Sequence, residues 1–309
     1  MSSTIYDVII IGGGGAGLTA ALYASRANLQ TLLFEKLTPG GQIALTHEVE
    51  NYPGFPEGVT GPEIAQKMED QAKKYGTEIQ YVEIQSISQS GKYFEITSSD
   101  QKFQTRSVIL ATGASFRRLE VPKERELTGR GVSYCATCDG AFFKGKELVV
   151  VGGGDSALQE GIFLTKFATK VTIIHRRDKL RASSILQDRA KANPKIQFIW
   201  DTVVEKVNGD KKVEGVTLKN LKTSQVQEFR TDGVFIFVGH DPNTQLVKDF
   251  VALDAQSYVT TDSHLQTSVP GVFACGEIRA GAVKQLVAAC GEGCEAALSA
   301  QHYLEDHAS

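Results

Sequence analysis

The sequence contains one Cys-x-x-Cys pair, Cys135 and Cys138, with the acidic residue Asp139 directly after the second cysteine. Two thiols at this spacing can close a small redox disulfide, and the geometry of the motif lowers the pKa of a thiol toward the working pH. The neighbouring carboxylate of Asp139 is suited to relay a proton. These three residues are therefore interpreted as a redox group, although the spacing alone does not order the two sulfurs.

Two other interpretations of the pair are half of a zinc site and two inert buried thiols. A structural zinc site needs a second pair of ligands nearby, and the sequence has no other Cys-x-x-Cys pair and no His-x-x-His pair. Cys290 and Cys294 are four residues apart on a predicted helix, where we expect them to be small core residues. Redox chemistry is therefore the favoured interpretation, with no metal predicted.

A glycine-rich segment at 12–17 fits the G-x-G-x-x-G pattern of a dinucleotide-binding turn between a strand and a helix. Gly12 allows the tight turn, Gly14 lets a pyrophosphate approach the backbone, and Gly17 lets the helix pack on the sheet. The helix N-terminus stabilises the phosphate charge. Glu35 follows Gly12 by 23 residues, and its carboxylate can accept hydrogen bonds from ribose hydroxyls. The segment predicts a dinucleotide site rather than a purely structural turn.

A second glycine-rich segment at 152–157 has the related pattern G-x-G-x-x-A, and we expect it to bind a second dinucleotide. The residues predicted to line this turn are Gly152, Gly154, Asp155, Ser156 and Ala157.

The residues after the second turn differ in charge from those after the first. His175 stands 23 residues after Gly152, at the position that Glu35 takes in the first copy. Three arginines follow it, and their planar groups match a 2′-phosphate with paired donors; they are Arg176, Arg177 and Arg181. The alternative is a solvated basic loop at a strand end. The contrast favours NADP over NAD here, with FAD in the first copy and NADPH in the second.

The elements that position these residues form a diverged internal repeat. Segment 7–12 is echoed by 147–152, and 107–113 by 233–239, as apolar runs that end in glycine. Each copy continues with a helix and a second strand, predicted at 18–28 and 31–34 and at 157–167 and 170–174. Alternating polar and apolar residues predict antiparallel meanders near 78–105 and 196–230. A last buried strand reaches Gly276 and Glu277, and a helix at about 285–302 follows it.

Two βαβ units in one chain predict an α/β fold with two Rossmann-like, three-layer domains. Because the last strand and helix belong with the first unit, the predicted FAD domain is 1–117 plus 247–309. The NADPH domain, 118–246, carries the cysteine pair and is inserted in it. The two crossings between the domains would form a hinge. Gly276 and Glu277 are expected to approach the ribityl or pyrophosphate part of the flavin.

Composition limits the class of protein. The chain has 309 residues, with 41% apolar residues, 22% charged residues and a net charge of −3. These values are typical of a globular protein and give no sign of a nucleic-acid or membrane partner. No apolar run has the length of about 18 residues that a spanning helix needs, and the N-terminus lacks the pattern of a signal peptide. Five cysteines, an odd number, argue against a secreted disulfide scaffold, so the cytoplasm is expected.

These motifs together resemble the low-molecular-weight thioredoxin reductases of bacteria, plants and fungi, over essentially the whole chain. The pattern Cys-Ala-Thr-Cys-Asp-Gly at 135–140 is highly specific for that family. The other segments that carry the resemblance are 12–17, 40–42, 48–54, 111–114, 152–157, 175–177 and 238–243.

The resemblance implies roles for single residues. Cys138 would be the sulfur nearer the flavin, Cys135 the thiol that exchanges with thioredoxin, and Asp139 the acid that protonates a leaving thiolate. Gln42 and Asn51 would hydrogen-bond the flavin. The family also implies a homodimer and rotation of the inserted domain between two electron-transfer states. Further FAD contacts are expected at Ala16, Gly41, Ala111, Thr112, Gly113, Gly276, Glu277, Lys284 and Gln285.

The chain departs from the family pattern at two positions of the flavin site. Glu277 stands where the family usually has aspartate, so the carboxylate lies further out and its flavin contact is shifted or bridged by water. Lys284 stands where arginine is common before Gln285, which keeps the charge but loses the planar donor pair.

The favoured function is therefore an NADPH-dependent flavoprotein that reduces thioredoxin. The alternatives are a related flavoenzyme with another acceptor, such as a peroxide-reducing protein or ferredoxin, a dithiol oxidase, and a redox-sensing nucleotide-binding module without turnover. The cysteine pair disfavours a ferredoxin–NADP reductase, and the arginines after 175 disfavour a dithiol oxidase.

Overall fold

The structure, a computed structural model, describes residues 4–46 and 49–307, without the side chains of Leu45 and Cys138. The chain divides into two compact units, one formed by Met1–Ser115 with Pro242–Ser309 and the other by Phe116–Asp241. The second unit is therefore inserted in the sequence of the first. The crossings lie after residues 115 and 241, whereas the sequence predicts them after 117 and 246.

The first part of the chain, up to the first crossing, alternates strands and helices before it becomes strand-rich. Its elements are β1 (Ile5–Ile11), α1 (Gly15–Arg26), β2 (Thr31–Glu35), α2 (Gly61–Lys74), β3 (Glu78–Tyr81), β4 (Ile84–Ser90), β5 (Tyr93–Ser98), β6 (Lys102–Leu110) and β7 (Ala114–Phe116).

The inserted part repeats this order, and the chain then returns to the first unit for a short strand and a long helix. The elements of the inserted part are β8 (Val132–Ser133), α3 (Ala136–Asp139), β9 (Glu147–Gly152), α4 (Asp155–Leu164), β10 (Lys170–Ile174), α5 (Ser184–Ala192), β11 (Ile196–Ile199), β12 (Thr202–Asn208), β13 (Gly215–Asn220), β14 (Val226–Arg230), β15 (Gly233–Phe237) and β16 (His240–Pro242). The returning elements are β17 (Val272–Ala274) and α6 (Leu286–Asp306).

In the first unit the described strands form one sheet in the order β3-β2-β1-β6-β5-β4, with β17 also paired to β6. The strands β1, β2, β3, β6 and β17 are parallel, whereas β4 and β5 are antiparallel neighbours. Alternate residues of β1 serve two cores: Ile10 packs with α1 and α6 on one face, and Ile9 packs with β4 and β5 on the other. This gives three layers.

The second unit has the same construction. Its sheet is parallel throughout, in the order β11-β10-β9-β15-β8. Val150 of β9 packs with α4 and α5 on one face, and Val149 packs with the antiparallel sheet β12-β13-β14 on the other. The strands β7 and β16 form a separate two-stranded sheet. Two three-layer α/β units confirm the predicted fold class.

The predicted meanders were wrong at their first strands. Strand β3 pairs in parallel with β2, and β11 pairs in parallel with β10, so both extend the central sheets. The antiparallel part begins only at 84 in the first unit and at 202 in the second. An alternating pattern fits a half-covered parallel edge strand as well as a meander, because both expose one face.

Helix boundaries also differ from the expectations. Helix α1 ends at Arg26 rather than 28 and begins at Gly15 rather than 18, because Gly14 caps it in an extended conformation. Helix α4 is Asp155–Leu164 rather than 157–167, and α6 continues to Asp306. In the described residues, no helix is both long enough and apolar enough to cross a membrane.

Glu160 on α4 gives the second unit a pH-dependent stability. Burial raises the pKa of its carboxyl from 4.5 to about 7. The folded state therefore binds more protons than the unfolded state between these values, and stability falls as pH rises from 4.5 through 7. We expect Glu160→Gln to raise the free energy of unfolding at pH 8 by on the order of 2 kcal/mol, with no gain near pH 4.5.

Urea unfolding at several pH values measures this effect. Glu147→Gln is the control, because Glu147 is exposed in the same unit. A gain from Glu160→Gln that stays the same at low and high pH would contradict the explanation.

Candidate functional site

The first glycine-rich turn joins β1 to α1 and is shaped by three glycines. Gly12 has φ +110°, and a Cβ there would lie 2.3 Å from the Ala111 carbonyl oxygen. A Cβ on Gly17 would lie 1.8 Å from the Gly12 carbonyl oxygen. A Cβ on Gly14 would meet nothing within 4 Å. The first two glycines are therefore required by packing, whereas Gly14 leaves open space in front of the α1 N-terminus.

Glu35, at the end of β2, lies directly beside this turn. Its Oε2 accepts a hydrogen bond of 2.8 Å from the Gly13 backbone N–H, and its Oε1 accepts one of 2.9 Å from Leu37. The carboxylate is therefore held in place, next to the turn, with lone pairs left for further donors. This position fits the ribose-binding role that the sequence predicts for Glu35.

Because Gly14 and Gly17 have different surroundings, we expect their replacement to affect different properties, namely flavin binding and stability. Gly17→Ala forces a methyl group into the backbone of the turn, so we expect it to destabilise the protein by about 3 kcal/mol or more. Gly14→Ala keeps an extended conformation, φ −74° and ψ −177°, that alanine also adopts. We expect a folded protein that no longer retains flavin.

Circular dichroism with the visible absorbance of the purified proteins tests both expectations. A yellow, fully flavin-loaded Gly14→Ala protein would show that the open space before α1 does not receive the cofactor.

Other residues predicted for the flavin site lie in the first unit, where they form hydrogen bonds with one another or with the backbone. Gln42 donates from Nε2 to the Ala114 carbonyl oxygen. Asn51 donates from Nδ2 to the Gln285 Oε1 at 2.9 Å. Gly41 and Gly113 have φ +55° and +64°, in the left-handed region that favours glycine.

Asn243 is a residue that the site prediction omits. It closes a double hydrogen bond with Thr112: its Nδ2 donates to the Thr112 carbonyl oxygen and its own carbonyl oxygen accepts from the Thr112 hydroxyl, both at 2.8 Å. Asn243 therefore holds the loop after β6, where Ala111, Thr112 and Gly113 lie. Its place in the motif 238–243 was a signal for this role.

The Gly276–Glu277 pair follows β17. Gly276 has φ +76°, and its backbone N–H donates to the Glu292 Oε2 at 2.8 Å. Glu277 lines a cavity of about 260 Å³ with Tyr258 and Lys284. Its Oε2 is buried and has no hydrogen-bond partner among the described residues. Burial raises the pKa of this carboxyl, against a lowering effect from Lys284.

These features fit a bound FAD. A buried carboxyl oxygen without a partner matches a hydroxyl-bearing group, such as the ribityl chain expected near Glu277. The open space at Gly14 and the α1 N-terminus suit a pyrophosphate. Lys284 differs from the other predicted contacts, because its Nζ already donates a hydrogen bond of 3.2 Å to the Tyr258 hydroxyl. Ala16 is buried at the start of α1, behind the turn.

The second glycine-rich turn joins β9 to α4 and repeats the first. Gly152 has φ +152°, and a Cβ there would lie 2.4 Å from the Phe237 carbonyl oxygen and 2.7 Å from the Ala157 Cβ. Gly154 again has nothing within 4 Å of an added Cβ. Asp155 accepts a hydrogen bond of 2.6 Å from the Ser183 N–H, and Ser156 is exposed. The open position before α4 suits a second pyrophosphate.

His175 is buried and packs against this turn. Its Nε2 lies 3.0 Å from the Lys179 carbonyl oxygen, to which it donates, and a Cβ on Gly153 would lie 2.3 Å from its Nδ1. Burial lowers the pKa of the imidazole, and the charges of Arg181 and Arg177 add to this lowering. His175 therefore acts as a spacer beside the turn.

The positive charge at this position comes from three arginines. All are exposed, and in the part of the chain that the structure describes none forms an ion pair; they are Arg176, Arg177 and Arg181. The Arg181 N–H donates to the Gly153 carbonyl oxygen at 2.7 Å, which ties the loop to the turn. Free guanidinium groups beside a dinucleotide turn can bind a 2′-phosphate.

The redox segment follows β8, which is parallel to β15, as β9 is. Cys135 is therefore at the same edge of the sheet as the second glycine-rich turn. Cys135 is disulfide-bonded, whereas Cys275, Cys290 and Cys294 are free thiols. The Cys138 side chain lies outside the described residues, so its predicted pairing with Cys135 stays a prediction. Asp139 ends α3, and its N–H donates to the Cys135 carbonyl oxygen at 3.2 Å.

A buried carboxylate anchors the residue before Cys135. Glu124 is fully buried and accepts hydrogen bonds from the Tyr134 hydroxyl at 2.5 Å and the Leu119 N–H at 3.0 Å. Burial, with this bond, raises the pKa of Tyr134 to about 12, so the phenol remains a donor. Sequence reasoning missed this pair, because nothing in the local pattern links residues 124 and 134. In the described residues, no group of three or more His, Cys, Asp or Glu could hold a metal ion.

The sequence and the fold are similar to known proteins over nearly the whole chain. A family model described as pyridine nucleotide-disulphide oxidoreductase matches residues 6–293. A thioredoxin reductase of Bacillus subtilis is 52% identical over 303 residues, 98% of this chain and 96% of that protein. The structure of Lactococcus lactis thioredoxin reductase is similar with a TM-score of 0.96 and 47% identity, covering 97% of this chain and 99% of that one. Thioredoxin reductase from T. acidophilum follows with a TM-score of 0.93, 39% identity and coverage of 98% and 99%.

Proposed function

The chain belongs to the pyridine nucleotide-disulphide oxidoreductase family, as a low-molecular-weight thioredoxin reductase, and from this premise we propose how its residues perform that reaction. It passes electrons from NADPH through FAD to its own disulfide and from there to oxidised thioredoxin. The observation that carries the conclusion is the disulfide-bonded Cys135 at the sheet edge that also bears the arginine-flanked turn.

FAD and NADPH are the cofactors. When bound, the flavin supplies a two-electron relay between a nicotinamide and a disulfide. We assign the FAD pyrophosphate to the turn at Gly14, with Glu35 accepting from the ribose hydroxyls. We assign the NADPH pyrophosphate to the turn at Gly154. Support for both assignments is the open space in front of the two glycines, at the N-terminus of α1 and of α4.

The exchange with thioredoxin is a pair of thiol–disulfide substitutions. The Cys135 thiolate attacks the thioredoxin disulfide, forms a mixed disulfide and releases one thioredoxin thiolate. The Cys138 thiolate then attacks the Cys135 sulfur, which releases reduced thioredoxin and closes the pair again. Asp139 delivers a proton to a departing thiolate. Support for these roles is the position of Asp139 directly after Cys138 at the end of α3.

Turnover with the protein partner tests the proposal. Oxidation of NADPH is followed by its absorbance, with the purified yellow protein and oxidised thioredoxin, and then with thioredoxin omitted. We expect rapid consumption of NADPH only when thioredoxin is present. Equal consumption without thioredoxin would support a flavoenzyme that passes the electrons of NADPH to oxygen, and no consumption in either mixture would support a dithiol oxidase or a redox sensor without turnover.

We also propose that the active form is a homodimer in the cytoplasm. Support for a second copy comes from exposed apolar side chains on the packed pair α1 and α6. Tyr23 is 39% exposed and Leu298 is 42% exposed. The free thiols suit a reducing compartment. Sedimentation of the wild type and Leu298→Glu tests the dimer, and a monomeric wild type would contradict it.

A further inference from the structure

Trp200 is the one tryptophan of the chain and directly follows β11 in the second unit. Its half-buried ring stacks on Phe198, with ring centroids 5.1 Å apart and planes at 7°. The ring also forms a T-shaped pair with His175, with centroids 6.4 Å apart and planes at 79°. The indole is therefore fixed in orientation by two aromatic neighbours.

The loop that carries the arginines runs alongside Trp200. On one side of the tryptophan, the His175 N–H donates to the Ile199 carbonyl oxygen at 2.9 Å. On the other side, the Asp201 N–H donates to the Arg177 carbonyl oxygen at 3.4 Å. These bonds bracket the tryptophan, so the backbone at Trp200 runs beside the loop that carries Arg176 and Arg177.

The direction of the stack decides which face of the indole is available. Phe198 and Trp200 are two residues apart on one side of a strand, a separation of about 6.6 Å along the strand axis. Phe198 therefore covers the face that looks back along β11. The opposite face looks past the carboxyl end of the parallel sheet, which is where ligands bind in folds of this kind.

The electrostatic surroundings suit an anionic ligand at the same place. The two nearest carboxylates in the sequence, Asp178 and Asp201, both pair with Lys222, at 3.5 Å and 2.8 Å. Neither therefore neutralises the exposed arginines, which retain their charge for a phosphate. Trp200 and the exposed arginines therefore belong to neighbouring segments at the same edge of the sheet.

We propose that Trp200 is the adenine-binding surface of this coenzyme site, with the adenine of NADPH stacked on its outer face while the arginines bind the 2′-phosphate. This rests on the proposed function in one respect, namely that NADPH is the coenzyme. His175 is then a positioning residue, because it packs against both the glycine turn and the indole and so restricts the orientation of the indole ring. Stacking of a base on an aromatic side chain contributes about tenfold to a hundredfold in affinity.

The fluorescence of this single tryptophan in the flavin-loaded protein gives a direct test. The probe is adenosine 2′,5′-bisphosphate, which carries the adenine and the 2′-phosphate but no nicotinamide. We expect saturable quenching of the Trp200 emission by this probe and no change with nicotinamide mononucleotide, which lacks the adenine.

Variants complete the test, with calorimetric affinity for the same probe as the readout. We expect Trp200→Ala and Trp200→Leu to bind it about tenfold more weakly, and Trp200→Phe to stay within about threefold because a stacking face remains. Phe142→Leu is the control, since Phe142 is an exposed aromatic residue of the same unit. Trp200→Leu serves if the alanine variant does not fold.

The outcomes separate this inference from the proposed function. Unchanged affinity in both Trp200→Ala and Trp200→Leu, or binding to the wild type without quenching, overturns the role of Trp200 and leaves NADPH as the coenzyme. A wild type that does not bind the probe at all overturns both.

Discussion

Replacement of Cys138 by serine is expected to lower kcat for thioredoxin reduction by on the order of 10³-fold or more. A single remaining sulfur can neither close a disulfide nor release thioredoxin from a mixed disulfide, because the second substitution needs the second thiolate. The measurement is steady-state oxidation of NADPH with saturating thioredoxin. Binding of FAD should be unchanged, since the predicted flavin-binding glycines all lie in the first unit.

Cys294→Ser is the matched control for this prediction. Cys294 is a free, partly exposed thiol in the first unit. We expect its replacement to change kcat by less than about twofold, because Cys294 lies outside the unit that carries Cys135. Comparable turnover by Cys138→Ser and the wild type would remove the Cys pair from the reaction.

Replacement of both Arg176 and Arg177 by alanine is expected to lower kcat/KM for NADPH by about 100-fold. Each exposed guanidinium can form charge-assisted hydrogen bonds to the 2′-phosphate, and such bonds contribute about 1.5–3 kcal/mol apiece. The same variant should retain its kcat/KM for NADH to within about threefold, because NADH carries no 2′-phosphate. The double variant is therefore expected to lose its preference for NADPH while it keeps its activity with NADH.

Arg230→Ala is the control for the arginine prediction. Arg230 is exposed at the end of β14, in the antiparallel sheet of the same unit, at the opposite end of that sheet from Thr202. Its replacement should leave kcat/KM unchanged for both NADPH and NADH. If kcat/KM falls equally for NADPH and NADH in the double variant, or if the wild type already uses NADH as well as NADPH, the arginines do not select the coenzyme.

The parts of the fold that local chemistry dictates could be predicted from the sequence. Gly12 and Gly152 must be glycine, because each has a positive φ and faces a carbonyl oxygen within 2.4 Å of an added Cβ. Such constraints fix the spacing of the glycines in the sequence, and the apolar runs of β1 and β9 before them are equally easy to identify. The repeat of these features therefore predicted two α/β units, and the resemblance that they carry predicted the cofactors and the reaction, which the relatives confirm.

The parts that depend on distant residues could not be predicted. Asn243 bonds Thr112 across 131 residues of sequence, and Glu124 accepts a hydrogen bond from Tyr134 across a loop that is mostly exposed. Neither pairing leaves a periodic pattern, although the motif at 238–243 marks Asn243 itself. The edge strands β3 and β11 were misassigned for the same reason, since the partner strand and not the alternation decides whether pairing is parallel.

Trp200 shows a third kind of difficulty. An aromatic residue at a strand end is most often part of the core, and the sequence offers no sign of the ring's orientation. The stack on Phe198 and the bonds from the loop at 175–177 supply that orientation. Charge was easier to predict than shape, because Arg176 and Arg177 differ from Glu35 in the aligned repeat.

Anaerobic reductive titration tests the central claim most directly, because it counts electrons per bound flavin without any partner protein. A flavin and a redox disulfide each accept two electrons. The wild type should therefore take up four electrons per flavin, and Cys138→Ser should take up two. Uptake of only two electrons by the wild type would show that no disulfide exchanges electrons with the flavin, and it would contradict the account.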